Sequence, residues 1–199
     1  MSAVKRRTTR RELIAGAAGA AIGAGAGAGS AFADTPAPSD AELLGKALEV
    51  ERLMVLAYRR VFASGALSAD VQRATTPHLG HELAHVSVVA ARLKALGAAA
   101  PTGALDIKAA NALMAQHDVS ESLSELHSEN DCLKLLVDLE SVAEGVYYTA
   151  LKDLRDPALQ QLSAHIMACE AQHWTVLSGL RNPGQYVKAV PWPFVYGTK

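Results

Sequence analysis

Two short segments of this chain, residues 82–85 and 170–173, share the pattern Glu-x-x-His. Residues three apart lie on one face of a helix, so each segment directs a carboxylate and an imidazole toward a common point. Each segment also follows, by about thirty residues, a glutamate set within an apolar series, which is Glu51 for the first and Glu140 for the second. This combination predicts a site for two metal ions in the core of a helical bundle.

The predicted site has six ligands, four carboxylates and two imidazoles. They are Glu51, Glu82, His85, Glu140, Glu170 and His173. Burying one unpaired carboxylate is costly and four together repel one another, whereas two cations remove that cost. Oxygen-rich ligation with two imidazoles suits iron or manganese better than a thiolate-binding metal. The alternative is that each glutamate is solvated at a helix surface and each histidine packs in an ordinary core.

The two halves of the chain repeat this spacing. Glu51 precedes a tyrosine by seven residues, and so does Glu140. In an antiparallel hairpin, residues equally far from the turn lie opposite each other. The midpoint between the glutamate and its Glu-x-x-His segment lies near Leu67 in the first half and at Asp156 in the second, beside a predicted turn. Each hairpin is therefore expected to hold its glutamate level with its Glu-x-x-His segment.

The elements that position these residues are predicted to be helices, because half of the residues are apolar and few segments alternate as strands do. The expected fold is all-α, an antiparallel four-helix bundle over residues 39–181 made of two helical hairpins joined by a long crossover. The predicted helices cover residues 40–63, 78–96 (with a lead-in from Ser68 and a kink at Pro77), 128–155 and 157–181, with a short helix over 105–117 in the crossover. Residues 182–199, rich in proline and aromatic residues, are predicted to form a C-terminal tail.

With these motifs, residues 39–181 resemble the ferritin-like superfamily of di-iron carboxylate proteins, and in particular its exported bacterial members. The most specific parts are Glu140 with Tyr147 and the second Glu-x-x-His segment. The resemblance implies two iron or manganese ions and activity on Fe(II), O2 or peroxide, such as ferroxidase or peroxide-detoxifying chemistry. The sequence pattern predicts no extra short helix of the kind that builds ferritin cages, which argues against iron storage in a shell. A non-enzymatic structural or metal-binding module of the same fold would need the same ligands.

The resemblance also implies a role for each ligand. The glutamates of the first and third helices, here Glu51 and Glu140, are terminal ligands. The carboxylates of the Glu-x-x-His segments, here Glu82 and Glu170, bridge the two ions, and the imidazole of each segment binds one ion.

Two further residues lie close to the predicted ligands. Glu144 follows Glu140 by one turn and could replace it or add a ligand. Tyr147 could have a redox role, although core packing is the default for such a residue.

Residues 81–85, His-Glu-Leu-Ala-His, also match the H-E-x-x-H pattern of zinc peptidases. That interpretation needs a third ligand downstream, for which the candidates are Glu121, Glu125, His127 and Glu129. It leaves Glu51, Glu140 and the second Glu-x-x-His segment unexplained, and no strand is predicted that could bind an extended peptide. It is therefore the remote alternative.

The first 33 residues have the features of an export signal. Residues 5–11 are basic, residues 9–14 (TRRELI) resemble the twin-arginine motif, residues 15–29 are rich in alanine and glycine, and residues 31–33 (AFA) form a cleavage signal. We predict export by the twin-arginine pathway to the periplasm or the cell exterior, with no stable membrane span after cleavage. An ordinary secretory signal or a retained anchor are the alternatives. The twin-arginine route carries folded proteins, which suits a cofactor loaded in the cytoplasm.

Charge and cysteine content restrict the partners further. Residues 1–33 carry five of the 19 basic and one of the 20 acidic residues, which leaves the rest of the chain with a formal charge of −5. No basic excess remains to indicate nucleic acid. The expected partners are those that the resemblance implies, metal ions and O2 or peroxide, with homo-oligomers left open. Cys132 and Cys169 are an even pair. However, if Glu140 and Glu170 face each other, helix rise alone separates the two sulfurs by more than ~10 Å, so no disulfide is expected.

Overall fold

The computed structural model describes residues 37–101 and 103–191, and all the regular elements in these ranges are helices. They are α1 (Asp40–Ser64), α2 (Ala69–Ala95), α3 (Ile107–Gln116), α4 (Glu129–Asp153), α5 (Pro157–Arg181) and α6 (Tyr186–Ala189). The fold is all-α as predicted: α1 and α2 form one hairpin, α4 and α5 form the other, and α3 lies in the crossover between them. The predicted export signal lies outside the described residues. Over residues 37–101 and 103–191, no helix combines the length and apolarity needed to cross a membrane.

Local side-chain chemistry sets where the four long helices begin. Ser39 and Ser128 each accept a hydrogen bond from the third helical residue, whose own carboxylate binds the cap backbone N–H in return, so α1 and α4 both open with a capping box. The carboxylate of Asp156 caps α5, whose first residue is a proline. Gly65 ends α1 with a φ of 70°, in the left-handed region that glycine tolerates.

The second helix differs from its prediction near Pro77. A lead-in and a separate main body were expected, but α2 runs as one helix from Ala69, capped by Ser68. Pro77 lies on the exposed face of α2, where water can solvate the carbonyl group that proline leaves without a donor. A solvent-facing proline therefore interrupts one hydrogen bond without ending the helix.

Two hydrogen-bonded contacts tie each hairpin to the other. The carboxylate of Asp40, at the start of α1, accepts bonds from the backbone N–H groups of Arg155 and Asp156 in the α4–α5 turn, at 2.9 and 3.1 Å. In the same way Glu129, at the start of α4, accepts a 2.6 Å bond from the backbone N–H of Ser68 in the α1–α2 turn. The first helix of each hairpin is thus fixed against the turn of the other.

The core consists of two apolar clusters that meet near a buried layer of charged side chains. This charged layer consists of Glu51, Glu82, His85, Glu140, Glu170 and His173. One cluster includes Met54 and Leu139, and the other includes Leu48 and Tyr147. Along α1 the change from one cluster to the other occurs around Glu51. The helices α2 and α5 make few contacts with each other, whereas each packs closely against its own hairpin partner. The charged layer therefore lies deep between α1 and α4, with the α2–α5 seam on its other side.

Candidate metal centre

All four long helices contribute to the charged layer. The four glutamates predicted as ligands have no exposed surface, while His173 is 2% and His85 is 9% exposed. Ligand atoms within 4.8 Å of one another form two overlapping groups of four residues. These are Glu51, Glu82, His85 and Glu170 in the first group, and Glu82, Glu140, Glu170 and His173 in the second. The structure therefore brings the six predicted residues together in two clusters that share two glutamates.

The first cluster is centred on His85. Its Nδ1 lies 2.9 Å from Oε1 of Glu170, 3.5 Å from Oε2 of Glu51 and 3.6 Å from Oε2 of Glu82. Three helices supply these side chains, so their meeting point depends on the packing of both hairpins.

The second cluster repeats this arrangement around His173. Its Nδ1 lies 3.0 Å from Oε1 of Glu82, 3.1 Å from Oε2 of Glu170 and 3.5 Å from Oε2 of Glu140. Glu82 and Glu170 thus present one oxygen to each cluster. Each of these two carboxylates therefore has an oxygen within reach of either cluster.

Two buried tyrosines hold Glu51 and Glu140, the two glutamates that belong to one cluster only. The hydroxyl of Tyr58 donates to Oε1 of Glu140 at 2.5 Å, and the hydroxyl of Tyr147 donates to Oε1 of Glu51 at 2.5 Å. Each bond holds one oxygen of the carboxylate and leaves the other, Oε2, turned toward a cluster. Burial, together with the neighbouring carboxylates, holds the pKa of both tyrosines well above the usual value, so both remain donors.

The charged layer holds four carboxylates and only two imidazoles, so its acceptor oxygens outnumber its hydrogen-bond donors. Burial raises the pKa of Glu51 to about 8 and also raises that of Glu140. Burial would raise the pKa of Glu170 as well, but hydrogen bonds from the two imidazoles lower it to about 2. For His85 and His173 burial alone would lower the pKa, yet contacts with their hydrogen-bonding neighbours raise it. Protons on the imidazoles therefore balance part of the charge in a cluster without metal.

The donor set fits a pair of cations. Among the buried side-chain oxygens of the described residues, five in this layer have no hydrogen-bond partner of normal geometry. They are Oε2 of Glu51, both oxygens of Glu82, Oε2 of Glu140 and Oε1 of Glu170. Buried carboxylate oxygens normally have partners, and these five all face the two clusters. Four carboxylates with two imidazoles favour iron or manganese among common metals.

Glu144 is buried beside the site but belongs to neither cluster. It is 3% exposed, its Oε1 lacks a partner, and burial together with the charge of Glu170 raises its pKa to about 7. Its place as a seventh ligand or a substitute for Glu140 stays a prediction.

Three residues near His173 were not among the six predicted ligands, although His81 had been considered in the zinc-peptidase alternative. The ring of His78 stacks on that of His173 at 4.2 Å between centroids, and its Nδ1 lies 3.1 Å from the Tyr58 hydroxyl. His81 and Cys169 approach the outer edge of His173. The sequence held a signal for His78, because residues 78, 82 and 85 have the spacing of one helix face.

The geometry gives the zinc-peptidase interpretation no support. In the described part of the chain, no group of candidate ligands contains both His81 and His85. Of the nominated third ligands, Glu121 pairs with Lys134, and Glu129 binds the backbone of the α1–α2 turn.

Comparison with known proteins agrees with this architecture. A family model described as a ferritin-like domain matches residues 39–183, which is well over half of the chain. Neither the curated proteins nor the solved structures gave a significant match.

Proposed function

The chain belongs to the ferritin-like domain family, and we propose that its buried clusters hold two iron or manganese ions that act on Fe(II), O2 or peroxide. One observation carries this proposal: Glu82 and Glu170 each direct one oxygen to each cluster, within 2.9–3.6 Å of an imidazole Nδ1. Burying two glutamates whose oxygens point to different clusters costs folding free energy unless a cation lies in each cluster.

In this proposal each side chain has a defined task. Glu51 and Glu140 each bind one ion through the oxygen that no tyrosine holds, and the two imidazoles bind one ion each. A pair of redox-active ions, when bound, would supply a place for O2 or peroxide and a means of exchanging electrons. The protein positions the ligands through Tyr58 and Tyr147, and the apolar clusters on both sides exclude water from the layer.

A non-enzymatic module is the second candidate, and a specific contact favours it. Nδ1 of His85 lies 2.9 Å from Glu170, and Nδ1 of His173 lies 3.0 Å from Glu82. Protonated imidazoles at these distances can stabilise the layer without metal. A site of this kind would bind ions weakly or only as a structural element.

Elemental analysis of protein purified from its native compartment, followed by a kinetic assay, tests the proposal. We expect two equivalents of iron or manganese per chain. For an iron-handling enzyme, anaerobic loading with Fe(II) and then addition of O2 should oxidise Fe(II) faster than buffer does. Two bound ions with no faster oxidation would favour a manganese enzyme or a binding module, and fewer than one ion per chain would overturn the dinuclear site.

We also propose export by the twin-arginine pathway, on the basis of residues 5–33 alone. Replacing both Arg10 and Arg11 by lysine should leave the full-length protein in the cytoplasmic fraction. Unchanged export of that variant would instead indicate an ordinary secretory signal.

A further inference from the structure

Three potential ligands meet on the seam between α2 and α5, on the outer side of His173. Nε2 of His173 lies 2.9 Å from Nδ1 of His81 and 3.5 Å from Sγ of Cys169, and the Sγ atom lies 3.8 Å from Nδ1 of His81. All three side chains therefore direct a ligand atom at one small volume. None of these atoms is the Nδ1 that His173 turns toward the carboxylates.

Two of these three distances match those between ligands of one metal ion, whereas the 2.9 Å between the two nitrogens is that of a hydrogen bond. Zinc-like ions bind imidazole nitrogen at about 2.0–2.1 Å and thiolate at about 2.3 Å, which in a tetrahedron separates two nitrogens by about 3.3 Å and a nitrogen from sulfur by about 3.6 Å. The two sulfur–nitrogen distances, 3.5 and 3.8 Å, lie on either side of that value. Moving His81 outward by a few tenths of an ångström gives the nitrogen separation, and its exposed position on α2 permits such a shift.

We propose that His81, Cys169 and Nε2 of His173 form a separate site for one thiolate-binding cation, such as Zn(II) or Cu(I). A thiolate with two imidazoles is a softer donor set than the four carboxylates beneath it, so the two sites differ in the metal that they prefer. His81 is exposed and Cys169 is half-buried, so solvent can reach the site and supply a fourth ligand.

One imidazole belongs to both sites. Nδ1 of His173 faces Glu82 and Glu170, whereas Nε2 faces His81 and Cys169. An ion in the outer site would therefore lie about 6 Å from one in the inner site, across the ring. Only this proximity rests on the proposed function, because the three outer ligands converge whether or not the inner site binds metal.

The second cysteine supplies a matched control. Cys132 is fully buried near the start of α4, and its Sγ lies 3.6 Å from the hydroxyl of Ser64. It lies in none of the candidate metal-binding groups of the described residues. Replacing it changes the same chemical group at a place where no cation site is proposed.

Anaerobic titration with Co(II), followed by absorbance, tests the outer site. Thiolate bound to Co(II) gives a near-ultraviolet charge-transfer band that carboxylates and imidazoles do not produce. We expect the saturated band in the reduced protein to have the intensity of one cobalt–thiolate bond per chain, whatever Co(II) the inner clusters also take up. Cys169→Ser should abolish the band, and Cys132→Ser should leave it unchanged. His81→Gln should raise at least tenfold the Co(II) concentration at which the band is half-saturated. Circular dichroism checks the fold of each variant. Because His81 is exposed, His81→Gln should fold normally and keeps the test valid if Cys169→Ser is unstable.

The outcomes separate this site from the dinuclear one. Absence of the band in the wild-type protein, or its persistence in Cys169→Ser, would overturn the outer site. Neither result bears on iron or manganese content, which Glu51→Ala should reduce while leaving the cobalt–thiolate band in place, because Glu51 contacts His85 and Tyr147 but not His173. Loss of the band in Cys132→Ser alone would show that Cys132, and not Cys169, supplies the thiolate, and would also overturn the proposal.

Discussion

Tyr147 of α4 donates a 2.5 Å hydrogen bond across the bundle to Glu51 of α1. The reverse bond, from Tyr58 of α1 to Glu140 of α4, has the same length. Each of these helices therefore supplies the tyrosine that orients the glutamate of the other. These two hydrogen bonds hold the carboxylates of Glu51 and Glu140 in place and join the two hairpins at the level of the charged layer.

Tyr147→Phe should weaken metal binding while leaving the fold intact. It keeps the ring that packs in the core but frees Oε1 of Glu51, so the carboxylate is no longer held toward His85. Loss of such an orienting bond lowers metal affinity by roughly 10–100-fold. Competition titration with a chelator measures the change. Tyr186→Phe, at a hydroxyl on the 84% exposed residue of α6, is the control and should bind metal as the wild type does.

Glu170→Ala should abolish dinuclear binding, because Glu170 supplies an oxygen to both clusters. Glu170→Gln keeps the side-chain volume and should show the same loss, which separates the missing charge from a cavity. Glu49, exposed two residues before Glu51, provides the matched control. Mass spectrometry of metal content decides the matter, and equal content in Glu170→Ala and Glu49→Ala would contradict the ligand assignment.

Metal should raise the melting temperature of the apo protein. The ion binds the folded state and removes repulsion among carboxylates that lack partners. At a free-ion concentration a hundredfold above Kd, the gain is about 2.7 kcal/mol, or about 5–10 °C for a domain of this size. Anaerobic calorimetry with Mn(II) or Fe(II) measures it. An unchanged curve with excess metal would favour the structural module.

The stability of the apo protein should fall as pH rises from 5 to 8. The pKa of Glu51 is raised from 4.5 to about 8 in the folded protein. Between these two pH values the unfolded chain loses the proton that the folded protein keeps, so rising pH favours unfolding. The raised pKa values of His85 and His173 act in the same direction, because their stabilisation is complete below about 6.5 and declines at higher pH. Urea unfolding in chelator across this range measures the slope.

Metal should reverse that trend. Because the protons held by the cluster must leave when ions bind, metal affinity should rise over the same pH interval, with net proton release measurable in weakly buffered solution. Glu51→Gln should reduce the pH dependence of apo stability. A flat profile in the wild-type apo protein would contradict the proposed charge balance of the layer.

The sequence determined the features that depend on neighbouring residues along the chain. The predicted helix starts near residues 40, 128 and 157 agree with those of α1, α4 and α5, because each cap in the structure and its partner are three residues apart or fewer. The spacing within each Glu-x-x-His segment directed carboxylate and imidazole to one side, and the hairpin midpoints predicted which glutamate lies level with which segment. The predicted ligand set followed from these local facts together with the family resemblance.

Tertiary structure decided which residues surround that set. The repeated spacing of seven puts Glu51 and Tyr58 on one helix, yet two turns of rise separate them by about 10 Å, beyond hydrogen-bond reach. Each tyrosine instead bonds to the glutamate of the facing helix, where packing of α1 against α4 brings them to 2.5 Å. The outer contact of His81 with His173 likewise joins residues 92 positions apart, on α2 and α5. Spacing along one helix cannot specify such pairs, because the packing of two helices sets the distance between them.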